Sequence, residues 1–356
     1  EDKSIDCNGK MVTAGFVDSH THPVFFENRA NEYSMRLSGL TYEEIARNGG
    51  GIISSVNGLR NASEDELIAK LEDRVDRFLQ NGTTTIEAKS GYGLDTDSEL
   101  KSLSVIDQVN QSHSIDIIPT FMGAHAVPIE YKNNPENYID LICDEMIPEI
   151  SKQGVALFND VFCEEGYFNV DDTRRILNTG IEYGLKPRMH ADEFVDSGAA
   201  ELAGEIGAFS ADHLMAISER GIESLVNNNV IGTLLPGTTF FLGKNTYAPA
   251  RKLIDSGIDV ALATDFNPGS SNIQSMPFII SLACLFMELT VEEAFKAATY
   301  NSAKSLGLEN KVGSVELGMK ADLIIWDLDS LIDIPYYISN HPIQKVIKNG
   351  KIVFGA

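Results

Sequence analysis

The stretch VTAGFVDSHTH at residues 12–22 places a short β-strand pattern directly before two histidines that are one residue apart. Side chains two positions apart on a strand point to the same side, so His20 and His22 can face a single metal ion. An H-x-H pair is common, and two incidental loop histidines explain it about as well. The predicted fold around the pair is therefore needed to choose between a metal site and incidental loop histidines.

Short β-branched segments recur along the chain, and most are followed by a polar or glycine-rich loop and an amphipathic stretch. The predicted strands are Val12–Asp18, Thr83–Lys89, Asp116–Met122, Leu157–Cys163, Leu185–His190, Phe209–His213, Val230–Leu235 and Asp259–Thr264. A stretch such as Ser63–Gln80, with apolar residues three to four apart, is typical of a helix. Strand–helix alternation predicts an α/β fold, a (β/α)8 TIM-type barrel, with a doubly wound open sheet as the alternative.

The two ends of the chain carry strand and turn patterns without helices. Strands are predicted at Gly313–Leu317, Ala321–Leu328 and Val346–Phe354, the last interrupted by an Asn349–Gly350 turn. We expect a small β-sandwich domain built from residues 1–11 and 312–356, flanking the barrel at residues 12–311. The opening EDKSIDCNGK reads as the middle of a chain, so we expect an N-terminal portion to be missing.

Charge and composition limit the partners of the protein. The formal net charge is −24, which argues against binding to nucleic acid or to an anionic membrane. The longest apolar run, Met276–Met287, is too short to cross a bilayer. The four cysteines are widely spaced without a C-x-x-C pair, which fits a reducing cytoplasm and argues against a disulfide framework or a structural zinc site.

Most histidines of the chain lie where a barrel builds its active site. Five of the seven fall at or just past the carboxyl end of a predicted strand, namely His20, His22, His125, His190 and His213. Asp265 ends the eighth predicted strand in the same way. Together with the H-x-H pair, His190 and Asp265 complete a ligand set of three nitrogens and one oxygen, which suits zinc or ferrous iron.

The chain resembles the amidohydrolase superfamily over nearly its whole length. The matching motifs are GFVDSHTH at 15–22, His190, His213, Asp265, AAT at 297–299 with Asn301 and Ala303, GSV at 313–315, Gly318 and ADL at 321–323. Within the superfamily the chain resembles the imidazolonepropionase family, in EAKSGYG at 87–93, GAH at 123–125, HADEF at 190–194 and TDFNPGS at 264–270.

This resemblance implies hydrolysis of 4-imidazolone-5-propanoate, a small molecule, to N-formimidoyl-L-glutamate in histidine degradation. It makes His20, His22, His190 and Asp265 the metal ligands. It places around the substrate Arg29, Tyr92, His125, Glu193, Asn267, Gly269 and Ser270. Binuclear relatives use a bridging lysine at the end of strand four, where this chain has VFCE at 161–164, so one divalent ion is expected. Homodimers are usual in the family.

The residue types fit these roles on chemical grounds, although each has a simpler interpretation. Asp265 can bind an ion with one oxygen and accept a proton with the other, and Glu193 can transfer a proton unless it is an exposed loop carboxylate. His213 can stabilise an oxyanion or can orient Asp265. Arg29 offers a bidentate fork for the substrate carboxylate, or forms a surface ion pair. Tyr92 and the turn at residues 267–270 can supply further donors, or serve only packing and chain reversal.

Two other functions compete with this hypothesis. The first is another amidohydrolase, such as a guanine- or cytosine-type deaminase, whose substrate has no carboxylate for Arg29 to bind. The second is a metal-bearing barrel that binds a ligand without turning it over. Retention of all four ligands together with Glu193 and His213 argues against the second.

Overall fold

A computed structural model describes residues 4–40, 44–45 and 50–355 of the chain. Its centre is a sheet of eight parallel strands in which each strand pairs with the next one along the chain. The strands are β2 (Phe16–Asp18), β3 (Thr83–Lys89), β4 (Asp116–Ala124), β5 (Phe158–Cys163), β6 (Lys186–Ala191), β7 (Ser210–His213), β8 (Ile231–Leu234) and β9 (Val260–Leu262). The predicted TIM-type barrel is confirmed.

The first predicted strand, Val12–Asp18, is wrong as a single strand. The chain breaks at Gly15, so that β1 (Val12–Ala14) pairs with a C-terminal strand and β2 enters the barrel beside β3. A Cβ atom at residue 15 would overlap with the side chain of Thr84, so this close approach of two strands requires glycine. Val12–Ala14, which we had placed in the barrel, therefore belongs to the other sheet.

Side-chain and main-chain hydrogen bonds join the last barrel segment to the first. The Asp18 carboxylate accepts from the Thr264 amide at 3.0 Å and from the Thr264 hydroxyl at 2.6 Å. One residue further on, the Asp265 amide donates to the His20 carbonyl at 3.1 Å. These contacts hold the two chain segments that carry predicted metal ligands against each other.

Helices cover the outside of the barrel. They are α1 (Ala30–Leu37), α2 (Ile52–Asn61), α3 (Glu64–Gln80), α4 (Thr96–Ser112), α5 (Pro135–Leu141), α6 (Ile147–Gln153), α7 (Val170–Glu182), α8 (Ala199–Glu205), α9 (Glu219–Asn228), α10 (Pro236–Phe241), α11 (Ala250–Asp255), α12 (Met276–Phe286), α13 (Val291–Lys296), α14 (Ser302–Ser305) and α15 (Asp333–Tyr336). A 3-10 turn (Ile129–Tyr131) and two π-helical turns (Ile142–Met146 and Ala297–Asn301) complete the helical segments. Among the described helices, none is long and apolar enough to cross a membrane.

Helix α3 begins at a capping box that the sequence encodes locally. The Ser63 hydroxyl accepts from the Glu66 amide, and the Glu66 carboxylate accepts from the Ser63 amide. Replacing Ser63 with alanine leaves an amide donor of the first turn unpaired, so we expect the free energy of unfolding to fall by about 1 kcal/mol. Urea denaturation measures this. Ser112→Ala, at the exposed C-terminal end of a different helix, α4, is the control and should change stability by less than about 0.5 kcal/mol.

The termini form a second, antiparallel sheet in the order β1, β10 (Leu323–Trp326), β11 (Ile343–Lys348) and β12 (Lys351–Phe354). The predicted turn at Asn349–Gly350 connects β11 to β12. The strand predicted at Gly313–Leu317 is wrong, since these residues form bends and turns. The buried ammonium of Lys348 donates to Asp116 of β4 and to Asp322, both at 2.6 Å, which ties this sheet to the barrel.

Candidate metal centre

The four predicted ligands converge at the carboxyl end of the barrel. His20 and His22 follow β2, His190 lies in β6, and Asp265 follows β9. The Nε2 atom of His22 lies 3.3 Å from Nε2 of His20 and 3.4 Å from Nε2 of His190. Asp265 Oδ1 lies 3.6 Å from Nε2 of His20 and 3.5 Å from Nε2 of His22. The predicted donor atoms are thus brought together.

These spacings fit a divalent ion. A tetrahedral site with metal–ligand bonds of about 2.1 Å has ligand–ligand edges of about 3.4 Å, which matches the observed pairs. Burial, together with neighbouring cations and imidazoles, holds the pKa of His20 and of His22 well below the usual value. Both rings are therefore neutral, which is the form that binds metal.

His213 and Glu193 lie beside the ligand cluster and face each other. The Nε2 atom of His213 is 3.7 Å from Oε2 of Glu193, and both side chains are buried. A nitrogen of His213 lies within 4.8 Å of nitrogens of His20 and His190. Burial, with the Asp265 carboxylate as a smaller cause, raises the pKa of Glu193 to about 8. A carboxyl group with such a pKa can exchange protons near neutral pH.

The two carboxylate oxygens of Asp265 face different groups. Oδ1 faces the histidine nitrogens, whereas Oδ2 accepts a hydrogen bond from the Thr238 hydroxyl at 2.5 Å. Burial raises the pKa of Asp265 to about 6, although the Thr238 hydrogen bond opposes that shift. Thr238, in α10, was missed by the sequence analysis because only the folded chain brings it to the carboxylate.

Four further buried groups behind the ligands were also missed as functional residues. Asp212 accepts from His20 and Arg188, and Asp160 pairs with His190 and Lys89. Burial alone would raise the pKa of Asp160, but Lys89 and His190 hold it well below its usual range. Of these four residues, Asp212 could have been suspected from the sequence, because it directly precedes His213 at the carboxyl end of β7.

A cavity of about 420 Å³ opens beside the ligands and contains part of the predicted substrate site. Its lining includes Arg29, Glu193, Gly269 and Ser270. A Cβ atom at residue 269 would overlap with the guanidinium of Arg29, so that group packs directly on the glycine backbone. The buried Nε of Arg29 has no hydrogen-bond partner among the described residues, and Glu32 lies 3.6 Å away.

Asn267 does not line this cavity but shapes the turn beside it. Its Oδ1 accepts from the amides of Gly269 and Ser270 at 2.8 and 2.7 Å, and its Nδ2 donates to the Asp265 carbonyl at 2.7 Å. The side chain therefore connects the turn that carries Gly269 to Asp265, a predicted metal ligand.

Tyr92 and His125 lie against the ligand His22 instead. The rings of His22 and His125 stack with centroids 5.1 Å apart, and Tyr92 lies 5.2 Å from His125. Nδ1 of His125 is 2.9 Å from the Gly91 carbonyl, which orients the ring. The buried Glu99 carboxylate accepts from three amides of the loop at residues 91–94, so the position of Tyr92 is fixed from behind.

The parallel barrel and its buried cluster of histidines and a carboxylate define an amidohydrolase, an enzyme class in which a divalent metal serves hydrolysis. A sequence model of the Amidohydrolase family matches residues 186–353. The chain is 50% identical over 353 residues to an imidazolonepropionase of Geobacillus kaustophilus (strain HTA426), covering 99% of this chain and 83% of the relative. The imidazolonepropionase of Clostridium tetani (strain Massachusetts / E88) is 48% identical over 350 residues, with 98% and 83% covered. The chain belongs to the imidazolonepropionase family.

Solved structures of two deaminases share the fold at low sequence identity. A 5-methylcytosine deaminase from Klebsiella pneumoniae liganded with 5-fluorocytosine superposes with a TM-score of 0.78 at 16% identity, covering all of this chain and 90% of the deaminase. An adenosine deaminase from Xanthomonas campestris with bound zinc gives a TM-score of 0.70 at 16% identity, with 97% and 80% covered. At this identity the likeness concerns the fold alone.

Proposed function

We propose that this chain hydrolyses the ring amide of 4-imidazolone-5-propanoate to N-formimidoyl-L-glutamate in histidine degradation. The observation that carries the proposal is the buried set of three imidazoles and Asp265 beside a cavity that holds Arg29 and Glu193. Purified protein loaded with a divalent ion should consume imidazolone propionate. Absence of turnover in the loaded protein would contradict the assignment.

The family and the ligand cluster indicate a divalent metal, and we propose one ion, zinc or iron. His20, His22, His190 and Asp265 would hold it, since neutral imidazole and carboxylate accept either metal. A bound ion would supply Lewis acidity, which lowers the pKa of water toward about 7 and polarises a carbonyl group.

The side chains around the proposed ligands have separate roles in the proton transfers of the reaction. Water adds to the ring carbonyl carbon, the amide C–N bond breaks, and the freed nitrogen takes a proton. Asp265 has its outer oxygen hydrogen-bonded to Thr238, which weakens it as a proton acceptor. Among the described residues, no donor forms a hydrogen bond to the Glu193 carboxylate, which lies 3.7 Å from Nε2 of His213. We therefore assign the main proton transfer to Glu193 and oxyanion stabilisation to His213, with Asp265 as a ligand that can assist.

The substrate carboxylate is assigned to Arg29. The protein is strongly acidic overall, so binding an anion requires a local cation, and the Arg29 guanidinium lines the cavity beside Glu193. Tyr92 and His125 lie against His22, and the turn at residues 267–270 carries Gly269 against Arg29; these residues are proposed to complete the binding site.

Displacing this guanidinium should weaken substrate binding without affecting the metal. We expect Arg29→Ala to raise KM about 10- to 100-fold, because charge-assisted hydrogen bonds contribute about 1.5–3 kcal/mol. We expect Gly269→Ala to raise KM in the same direction, since the added methyl group occupies the position of the guanidinium. Steady-state kinetics with imidazolone propionate measure both effects.

The control for Gly269→Ala is Gly58→Ala in helix α2, where an added Cβ atom would meet only Phe26 Cβ at 3.5 Å, an ordinary van der Waals contact. It tests whether adding a methyl group to a glycine affects catalysis by itself, and KM should stay unchanged. A Gly269→Ala variant with normal KM would show that Arg29 does not bind the substrate from its present position.

A deaminase of a guanine- or cytosine-type ring is the second candidate, but only distant structural neighbours favour it. A ring without a carboxylate would make no use of the Arg29 guanidinium that lines the cavity. We further propose a homodimer, because homodimers are usual in the family, and a cytoplasmic location, which the widely spaced cysteines favour. Its partner is a small molecule, and the acidic charge argues against binding to nucleic acid or membranes.

A further inference from the structure

Two of the three ligand histidines, His20 and His190, each contact a buried carboxylate. Each of these carboxylates in turn contacts a buried cation. Nδ1 of His20 lies 2.6 Å from Asp212 Oδ2, the same oxygen that accepts from Arg188 at 3.3 Å. On the other side of the site, Nδ1 of His190 lies 3.2 Å from Asp160 Oδ1. The second oxygen of Asp160 accepts from the Lys89 ammonium at 2.6 Å.

Both arrangements are closed to solvent and fixed by further contacts. The side chains of Asp160, Lys89, Arg188 and Asp212 are fully buried. Lys89 also donates to Glu87 at 2.7 Å. Arg188 also donates to the carbonyl groups of Ser19 and Ser305 at 2.8 and 3.0 Å. Each cation is therefore held independently of the carboxylate that it supports.

We propose that Asp160 and Asp212 are positioning residues that keep the proton of His190 and His20 on Nδ1, and that they thereby set the affinity of the site for its divalent ion. A carboxylate that accepts from Nδ1 leaves the Nε2 lone pair free for the ion. This inference rests on the proposed metal site and not on the proposed substrate.

The two carboxylates respond differently to replacement by asparagine. In Asp212→Asn, one amide oxygen can accept from both His20 and Arg188, because both donors share Oδ2. The new amide nitrogen then takes the place of Oδ1, which has no partner among the described residues. The proton of His20 stays on Nδ1, and only the negative charge is lost.

Asp160→Asn cannot satisfy both of its neighbours. Lys89 only donates hydrogen bonds, so the single amide oxygen turns toward Lys89 and the amide nitrogen turns toward Nδ1 of His190. Nδ1 then has to accept, which moves the ring proton to Nε2, the atom that faces the ion. The loss of metal affinity should therefore be larger for Asp160→Asn than for Asp212→Asn.

The Zn2+ affinities of the two variants, measured without substrate, test whether Asp160→Asn loses more affinity than Asp212→Asn. Competition with a chromophoric chelator should give about 100-fold weaker binding for Asp160→Asn and no more than about 10-fold for Asp212→Asn. Adding Lys89→Met to Asp160→Asn frees the amide oxygen for His190, so the double variant should regain part of the affinity. A merely structural network predicts the opposite, since the second change removes another contact.

The matched control is Asp322→Asn in the terminal sheet. Asp322 is also buried, accepts from Lys348 at 2.6 Å with one oxygen and accepts from the Asn349 amide at 2.8 Å with the other. It should lower stability without changing Zn2+ affinity. Equal Zn2+ affinity in Asp160→Asn and the unmodified chain, or equal losses in Asp160→Asn and Asp322→Asn, would overturn the proposal.

Should Asp160→Asn fail to fold, imidazole 15N shifts of the metal-free unmodified chain decide the matter. A proton on Nδ1 of His190 is expected, and a proton on Nε2 overturns the proposal. Because no substrate is present in either measurement, the result stands whether or not the chain hydrolyses imidazolone propionate. Conversely, a chain that binds Zn2+ as expected but lacks turnover contradicts only the proposed function.

Discussion

Removing the divalent ion should abolish hydrolysis by this chain. Without it, the reaction depends on free water, whose pKa lies far above the value of about 7 for metal-bound water, so we expect turnover to fall by at least about 10³-fold. The same loss is expected for His190→Ala, which removes one of the converging Nε2 donors. Activity after dialysis against a chelator, followed by metal analysis of the protein, measures the effect.

Restoring the ion separates this loss from damage to the fold. Adding Zn2+ or Fe2+ to the chelated protein should restore activity, whereas adding either ion to His190→Ala should not. His113→Ala is the matched histidine control, because His113 pairs with Asp76 at 3.1 Å after helix α4 and far from the ligands. Full activity in protein from which metal analysis detects no divalent ion would contradict the proposed mechanism.

Strand and helix periodicity made most of the barrel predictable. Strand β3 agrees with its predicted bounds, because a run of buried β-branched residues between polar loops is a strong local signal. The split of Val12–Asp18 at Gly15 was not predictable in this way. The break depends on contact with Thr84, which lies about 70 positions further along the chain.

The ligands could be proposed from the sequence because a barrel gathers the carboxyl ends of its strands. The residues behind them could not, since Asp160 and Lys89 meet only through the register of neighbouring strands. Lys89 could be placed from the sequence only at the end of a predicted strand, whereas the folded chain buries it against Asp160 and Glu87. The backbone strain at two site residues could not be predicted from the sequence either. His213 and Asp265 have positive φ values of 78° and 51°.

Replacing Glu193 with glutamine should lower kcat far more than it changes KM. Glutamine keeps the shape of the side chain but cannot transfer a proton, and a positioned acid–base group contributes about 10²- to 10⁴-fold to the rate. Glu165→Gln is the control for the change from carboxylate to amide, since Glu165 is an exposed residue after β5 that does not line the cavity. That control should retain most of the activity.

The pH dependence distinguishes proton transfer by Glu193 from a role in packing. Glu193 accepts a proton only when ionised, so kcat/KM of the unmodified chain should fall as the pH drops through the pKa of this group. Burial raises that pKa to about 8 in the metal-free protein, and a nearby divalent cation favours the ionised form and moves it lower. The acidic limb should therefore lie below pH 8, and Glu193→Gln should lose it. An unchanged limb in the residual activity of Glu193→Gln would assign the first proton transfer to another group, with Asp265 the nearest carboxylate able to replace it.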